Sequence, residues 1–397
     1  RTILVVGLNA GGKAYDAVDI TDPAHPKLLW EFASFSGATC PAVAGATSDC
    51  NLGLTYGVPV ITKVNGHWVV LVTSGYNNVT DGGDGGGYLY AINAATGQLA
   101  FKIATGVGST ATPSGLAQIN AFVENTFVDN TSPRAYGGDE MGNLWRFELF
   151  PTPTAQLLGI AKTSGNLTQP ISTRPELSEV EHNPMIMVGT GRLLGASDVT
   201  DIEQQSVYGF LDTLAPGPVY ADLRGSLRPL AMTKVGSGAA AVRTIACSGS
   251  TIECARTAGW VLDLPEAGER ININMKLNFS TLVFASNVPK AESCTVGGHS
   301  WFNYVDYQSG LAVPGAATVN LGLGDGSTGQ VASSYIADSL TTGFNIYRLP
   351  PTSGSDSNNG RFVTGFVQSD TTHPVGANPP PYPFPNGKRI SWREIVK

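Results

Sequence analysis

Apolar and polar residues alternate along this chain in short runs, and each run closes on Gly, Pro, Asn or Asp. Tyr88-Leu-Tyr-Ala-Ile-Asn93 and Asn143-Leu-Trp-Arg-Phe-Glu148 are typical. A period of two with turn residues between runs predicts strands. Helical spacing is nearly absent, and a short turn near Asp338–Leu340 is the clearest candidate. The chain is therefore expected to be all-β.

The runs repeat. Ala17-Val-Asp-Ile-Thr-Asp-Pro23 leads to Leu28-Leu-Trp30, and Gly87-Tyr-Leu-Tyr-Ala-Ile-Asn-Ala-Ala-Thr-Gly97 leads to Leu99-Ala-Phe101. Further copies start at Gly142, Val207, Trp301 and Phe344. A small sheet cannot bury both its faces alone, so such repeats stack around an axis as the blades of a propeller. In this reading Asp19, Asn93 and Asp306 cap backbone N–H groups in the blade turns. Gly97 and Gly310 supply positive φ, and Trp30 and Phe101 fill the space between blades. Gly189, Gly191 and Gly195 allow a tightly packed blade edge. At about 50–60 residues per blade the length gives roughly seven blades, some with long insertions. No Pro-rich or charge-rich linker divides residues 1–397, which predicts a single propeller domain. Pro379-Pro-Pro-Tyr-Pro-Phe-Pro385 reads as an extended strap, and Arg389-Ile-Ser-Trp-Arg-Glu-Ile395 as a last strand that closes the ring.

Composition narrows the function. The 397 residues include 48 Gly and 25 Pro, only 14% are charged, and the net charge is −7. A disordered chain and binding to nucleic acid by bulk charge are excluded, and a helical bundle or coiled coil is disfavoured. No apolar stretch approaches the ~20 residues of a membrane span. The opening Arg1-Thr-Ile-Leu-Val-Val6 reads as an interior strand, so the chain is expected to be the C-terminal portion of a longer protein. Cys40 and Cys50 bracket one loop of small residues, and Cys247 and Cys254 another. This spacing predicts two local disulfides and an oxidising compartment. Cys294 is left over.

No catalytic set emerges. The five histidines are isolated and no Gly-x-Ser-x-Gly elbow occurs. Gly189-Thr-Gly-Arg-Leu-Leu-Gly195 lacks the βαβ context of a dinucleotide loop. Arg192 is expected to be buried near the axis and to pair with Asp198 or Asp201.

Several blocks are similar to one family. They are Gly75-Tyr-Asn-Asn78 with Gly86-Gly-Tyr-Leu-Tyr90, Tyr136-Gly-Gly-Asp-Glu-Met-Gly-Asn-Leu-Trp-Arg-Phe147 and Val188-Gly-Thr-Gly-Arg-Leu-Leu-Gly195. Gly259-Trp-Val-Leu-Asp-Leu-Pro265 with Gly268-Glu-Arg270, Cys294-Thr-Val-Gly-Gly298 and Ile390-Ser-Trp-Arg393 follow. In this order they resemble the C-terminal propeller of the PilC/PilY proteins, the type IV pilus biogenesis factors and tip-associated adhesins of Gram-negative bacteria. The resemblance implies a modified seven-bladed β-propeller and a full-length protein exported through the periplasm and outer membrane. It implies a separate N-terminal domain and a place at the cell surface or pilus tip. It further implies support of pilus extension against retraction, surface adhesion and twitching motility. The partners it implies are minor pilins or a tip complex, a host-cell or abiotic surface, and the chain's own N-terminal domain.

Relatives carry a calcium loop, Asp-x-Asp-x-Asp-Gly-x-x-Asp, upstream of the Gly-Asn-Leu-Trp block. The equivalent stretch here, residues 118–130, has only Glu124 and Asp129, separated by Phe127 and preceded by Phe122, and the motif does not carry over. Asn78, Asp81 and Asp84 offer hard oxygen ligands in a Gly-rich loop, which makes calcium a candidate there. The same residues also read as a solvated turn whose acids cap backbone N–H groups, as does Gly324-Asp-Gly-Ser-Thr328. Arg-Gly-Asp is absent; only Leu223-Arg-Gly-Ser226 occurs. The insertion Ala33–Asn51 and the loop Pro351–Arg361 are the expected contact surfaces. Ala91-Ile-Asn-Ala-Ala-Thr-Gly97 with Phe101 also resembles the tryptophan-docking repeat of quinoprotein (pyrroloquinoline quinone) dehydrogenases, which keeps an enzyme as the competing reading. A purely structural assembly factor without a receptor of its own is a third.

Overall fold

A computed structural model describes residues 1–123, 128–291, 296–322, 325–337, 339–348 and 362–368. β1 (Ile3–Gly7), β2 (Ala14–Asp19) and β3 (Lys27–Ala33) form a three-stranded sheet. The second blade is β4 (Val60–Val64), β5 (His67–Thr73), β6 (Tyr88–Asn93) and β7 (Leu99–Ala104). The third is β8 (Gln118–Phe122), β9 (Arg134–Gly138), β10 (Asn143–Glu148) and β11 (Thr154–Ile160). All are antiparallel meanders in chain order.

The fourth blade starts with β12 (Glu176–Val180), β13 (Asn183–Gly189) and β14 (Ser206–Leu211). A hairpin, β15 (Arg228–Val235) and β16 (Val242–Cys247), interrupts it before β17 (Gly259–Asp263) completes it. The fifth blade comprises β18 (Lys276–Asn278), β19 (Thr281–Ala291) and β20 (Val296–Asp306). β21 (Thr318–Asn320) then pairs with β22 (Thr328–Ala337), which closes that blade beside β20. The hairpin bridges the two outermost strands: β15 runs parallel to β17, and β16 pairs antiparallel with β22. Two blades thus become one eleven-stranded sheet. β23 (Thr341–Arg348) and β24 (Phe362–Gln368) pair with each other.

The propeller expected from the repeats is what the structure shows. The described residues supply five blades and the β23–β24 hairpin; the strap at 379–385 and the strand at 389–395 lie outside them. Every repeat copy lands on a strand: β2, β6, β10, β14, β20 and β23. The helical expectation is corrected. Ser339 and Leu340 lie in a bend and Asp338 is outside the described residues, while one-turn helices occur at Leu223–Ser226 and Thr251–Cys254. Ser250 and Glu253 cap the latter reciprocally.

Alternation decides which neighbour each side chain meets. On β5, Val70 and Val72 pack against Tyr15, Trp30 and Phe32 of the first sheet. Val69 and Leu71 point the other way, onto Ile119, Trp145 and Phe147 of the third. β13 divides likewise: Ile186 and Val188 face the third blade, and Met185 and Met187 face the fifth. Inner strands are therefore buried on both faces, which is why they read as continuous apolar runs. Each such side chain stabilises the stack by about 1.5–3 kcal/mol.

Adjacent blades share one lock. A residue just after a blade's second strand meets the lead-in to the next blade. Gly75 N donates to Leu116 O (2.8 Å), Ile171 N to Asp139 O (3.0 Å), and Ile271 N to Thr190 O (2.9 Å). Glycine is required beside two of these bonds. A Cβ on Gly138 would lie 2.4 Å from Ile171, and one on Gly189 2.5 Å from Ile271. Gly191 is likewise tight against Arg270, at φ +121°. Gly195 is not a packing position, because a Cβ there meets nothing closer than Ser197 at 4.0 Å.

Candidate interaction face

Sheet topology separates two ends of the disc. Connections after odd-numbered strands in the first three blades include the long ones, at residues 34–59, 74–87, 105–117 and 161–175. Those at the opposite end are mostly tight, such as 65–66, 94–98 and 149–153. Long connections held by a rigid scaffold are where binding surfaces form.

Two of these loops are tied together. The predicted disulfide Cys40–Cys50 is formed within the 34–59 connection. Asn78 Nδ2, from the 74–87 loop, donates to Asn51 O (3.2 Å) and Gly86 O (2.8 Å), and Asp84 N donates to Asn51 Oδ1 (2.8 Å). Below them Lys102 Nζ lies 2.7 Å from Asp49, with side chains 10% and 0% exposed. The same ammonium sits 3.8 Å from the ring centre of Tyr88. Burial pulls the Lys102 pKa down against the pull of Asp49. Tyr88 in turn donates its hydroxyl to Asp84 (2.5 Å), and burial together with that carboxylate pushes its pKa up.

The three candidate calcium ligands are neighbours in sequence but face different partners. Asp81 pairs with Lys13 (3.1 Å), Asp84 takes Gly86 N and Tyr88, and Asn78 is buried between backbone carbonyls. Among the described residues no group of three or more His, Cys, Asp or Glu is arranged to hold a metal ion. At 118–130, residues 118–122 are strand β8, Asp129 caps Thr131 N (2.9 Å), and Glu124 and Phe127 lie outside the described residues. Asp325 caps Ser327 N (2.9 Å). Cys294 and the loop 351–361 also lie outside. Cys247–Cys254 is formed as predicted, beside the one-turn helix.

Further round the same face, Arg192 bonds Asp198 through Nε (3.0 Å) and reaches Glu140 (3.4 Å). The pairing with Asp198 agrees with expectation; the burial does not, since the Arg192 side chain is 40% exposed. Arg270 is the buried arginine here. It donates to the carbonyls of Gly268, Arg192, Asp198 and Asp201, and so holds the 192–201 loop. Burial raises the Glu140 and Asp139 pKa values.

The sequence reading missed the buried ion clusters. Arg146 pairs with Asp212 (2.7 Å), which also accepts from Tyr136. Arg243, wholly buried, pairs with Glu269 and Glu266 (2.7 Å each) and stacks 3.7 Å from the Trp301 ring centre. Glu266 also accepts from Trp301 Nε1 and meets His299 Nε2 (2.7 Å). Burial alone would raise the Glu266 pKa, but His299, Arg243 and Trp301 outweigh it and hold it at about 2. The available signal was a charged residue at an inward position of an apolar run, as in Leu144-Trp-Arg-Phe147.

No helix among the described residues is long and apolar enough to cross a membrane. A profile of the PilY1 beta-propeller domain matches residues 1–158. A PilY1 homolog described as a type IV pilus biogenesis factor, from Xylella fastidiosa, is 28% identical over 412 residues. That alignment covers 100% of this chain and 30% of the relative. PilY1 of Pseudomonas aeruginosa PAO1 is 27% identical over 362 residues, 78% of this chain and 29% of that protein. The chain thus spans under a third of these relatives. Its fold is that of the crystallised C-terminal domain of P. aeruginosa PilY1, at TM-score 0.67 and 20% identity over 96% of this chain and 80% of that one.

Proposed function

We propose that this PilC/PilY-family chain is the propeller part of a type IV pilus biogenesis factor and tip-associated adhesin, which supports pilus extension against retraction, surface adhesion and twitching motility. The observation that carries this is the alignment with a pilus biogenesis factor along the whole chain. In this reading the propeller is a rigid, non-enzymatic disc at the pilus tip or cell surface of a Gram-negative bacterium. Its partners are minor pilins, a host-cell or abiotic surface, and an N-terminal domain of the same protein. The tied loops at 34–59 and 74–87 are the contact surface, because the disulfide and the Lys102–Asp49 pair hold them in one shape. Such pre-ordering lowers the entropic cost of binding.

The test is a strain whose protein lacks residues 1–397, examined with and without pilus retraction. Loss of pili that returns without adhesion once retraction is disabled supports a tip adhesin. Pili and adhesion that both return identify an assembly factor alone. Unchanged pili and adhesion reject the pilus reading. Turnover of an alcohol or sugar with pyrroloquinoline quinone and Ca²⁺ would instead establish the enzyme.

A further inference from the structure

An indole over a turn glycine closes two of the four junctions between the described blades at the short-turn end. Trp30, on the outer strand of the first sheet, lies over the β6–β7 turn of the second blade. Its Nε1 donates to Ala94 O (3.0 Å), and Gly97 leaves room for the ring, since a Cβ there would lie 2.5 Å from Trp30. Trp260, on the outer strand of the fourth blade, repeats this on the fifth. Its Nε1 donates to Tyr307 O (2.9 Å), and a Cβ on Gly310 would lie 2.4 Å from the indole. The two turns match position for position: Asn93 and Asp306 cap them, Ala94 and Tyr307 accept the indole, and the glycine comes four residues after the cap.

The junction between the second and third blades has the same parts without the indole. Phe101 stands where Trp30 stands, two residues after the leucine that opens its strand region. Glu148, Leu149 and Thr152 take the places of Asn93, Ala94 and Gly97. What results is an open cleft of roughly 410 Å³, walled by Val64, His67, Phe101, Phe150, Pro151 and Pro153. Phe150 is 48% exposed, so the cleft opens onto an apolar rim. None of the tryptophans among the described residues occupies it: Trp145 of the third blade bonds Asp139 instead.

We propose that this cleft is a dock for an indole side chain carried by a partner protein, which packs beside Phe101 and against the β10–β11 turn as Trp30 and Trp260 pack against the turns of their own junctions. The occupant is argued from continuity. The cleft is the outer end of an established blade interface, and that interface takes an indole at two other junctions of the same chain. The aromatic wall of Phe101 and Phe150 offers ring faces and edges to a planar guest. Leu149 O stands at the position whose carbonyl accepts the indole N–H elsewhere. This goes beyond the pilus reading and does not depend on it.

The test uses the full chain and ligand-detected NMR with N-acetyl-tryptophanamide, and N-acetyl-leucinamide as control. Binding of the tryptophan probe with little response to the leucine probe is expected. Phe101→Trp fills the dock from within and lowers probe binding at least about tenfold, with an unchanged or higher melting temperature that shows the chain folded. Phe150→Ala, on the exposed rim, also weakens binding. Equal binding of both probes, or undiminished binding to folded Phe101→Trp, overturns the proposal. Binding that appears only in Trp392→Ala assigns the dock to the chain's own tail and overturns it as well.

Discussion

The first and fourth sheets hand over to their neighbours by the same device, an indole over a turn glycine, yet their surroundings differ. The first junction holds two separate sheets together by packing and the Trp30–Ala94 hydrogen bond, without strand pairing between the sheets. At the fourth, backbone pairing through the β15–β16 hairpin also crosses the gap, and a buried arginine lies beneath it. Packing tolerates small shifts between sheets. A backbone ladder does not, and it fixes the blades closely enough for charges to be buried in good geometry. Arg243 meets Glu269 and Glu266 because β16 and the 264–270 loop cannot slide apart.

Breaking the charged junction should cost most. Arg243→Met leaves Glu269, fully buried, without its cation, and should lower unfolding stability by about 3–5 kcal/mol. Adding Glu269→Gln should recover part of that loss, measured as the denaturant midpoint. Full additivity would mean that the pair is not coupled.

Trp260→Ala and Trp30→Ala should each cost about 3–5 kcal/mol. The former belongs at the upper end, since Trp260 is 0% and Trp30 6% exposed. Equal losses would show that the hairpin adds nothing to how its junction packs.

Gly138→Ala and Gly189→Ala test the locks between blades. Both crowd an isoleucine of the next blade at 2.4–2.5 Å, and about 1–3 kcal/mol is expected from each. Gly195→Ala, with open space around it, should be nearly silent in the same melt.

Acid should separate the regions with the smallest effect. Glu266 is depressed to about 2 from 4.5, so its stabilisation is present above pH 4.5 and fades as pH falls toward 2. Asp139 and Glu140 are shifted upward by burial, so protonation favours the folded form and acid relieves their cost. Hydrogen exchange at pH 3 against pH 6 should show β16 and β20 losing protection relative to the β9–β10 turn. A uniform loss would contradict this.

The strands and their turns were legible because alternation and turn residues are local. Asp19, Asn93 and Asp306 cap as expected, with N–H distances of 2.9 Å at each. Both disulfides were legible from loop length. The hairpin weld was not, because β15 and β16 read as an ordinary pair and nothing local states that their outer edges meet β17 and β22. Arg192 was expected to be buried, and Arg270 is buried instead, for a similar reason. Both follow closely on a glycine, and only the path of the 192–201 loop decides which one it covers. Asn78, Asp81 and Asp84 are near neighbours in sequence, and only the fold states that Asp81 meets Lys13 and Asp84 meets Tyr88.

The weld also sets an order of events for a nascent chain. β16 ends at Cys247, but the strand that pairs with its free edge starts only at Thr328. Until then that edge can accept any strand offered to it, including one from another molecule. A chain that crosses a membrane before folding must keep the edge covered by something other than itself. A covering factor supplied in trans should raise the yield of refolded chain, and it should do nothing for a variant from which residues 228–247 are removed.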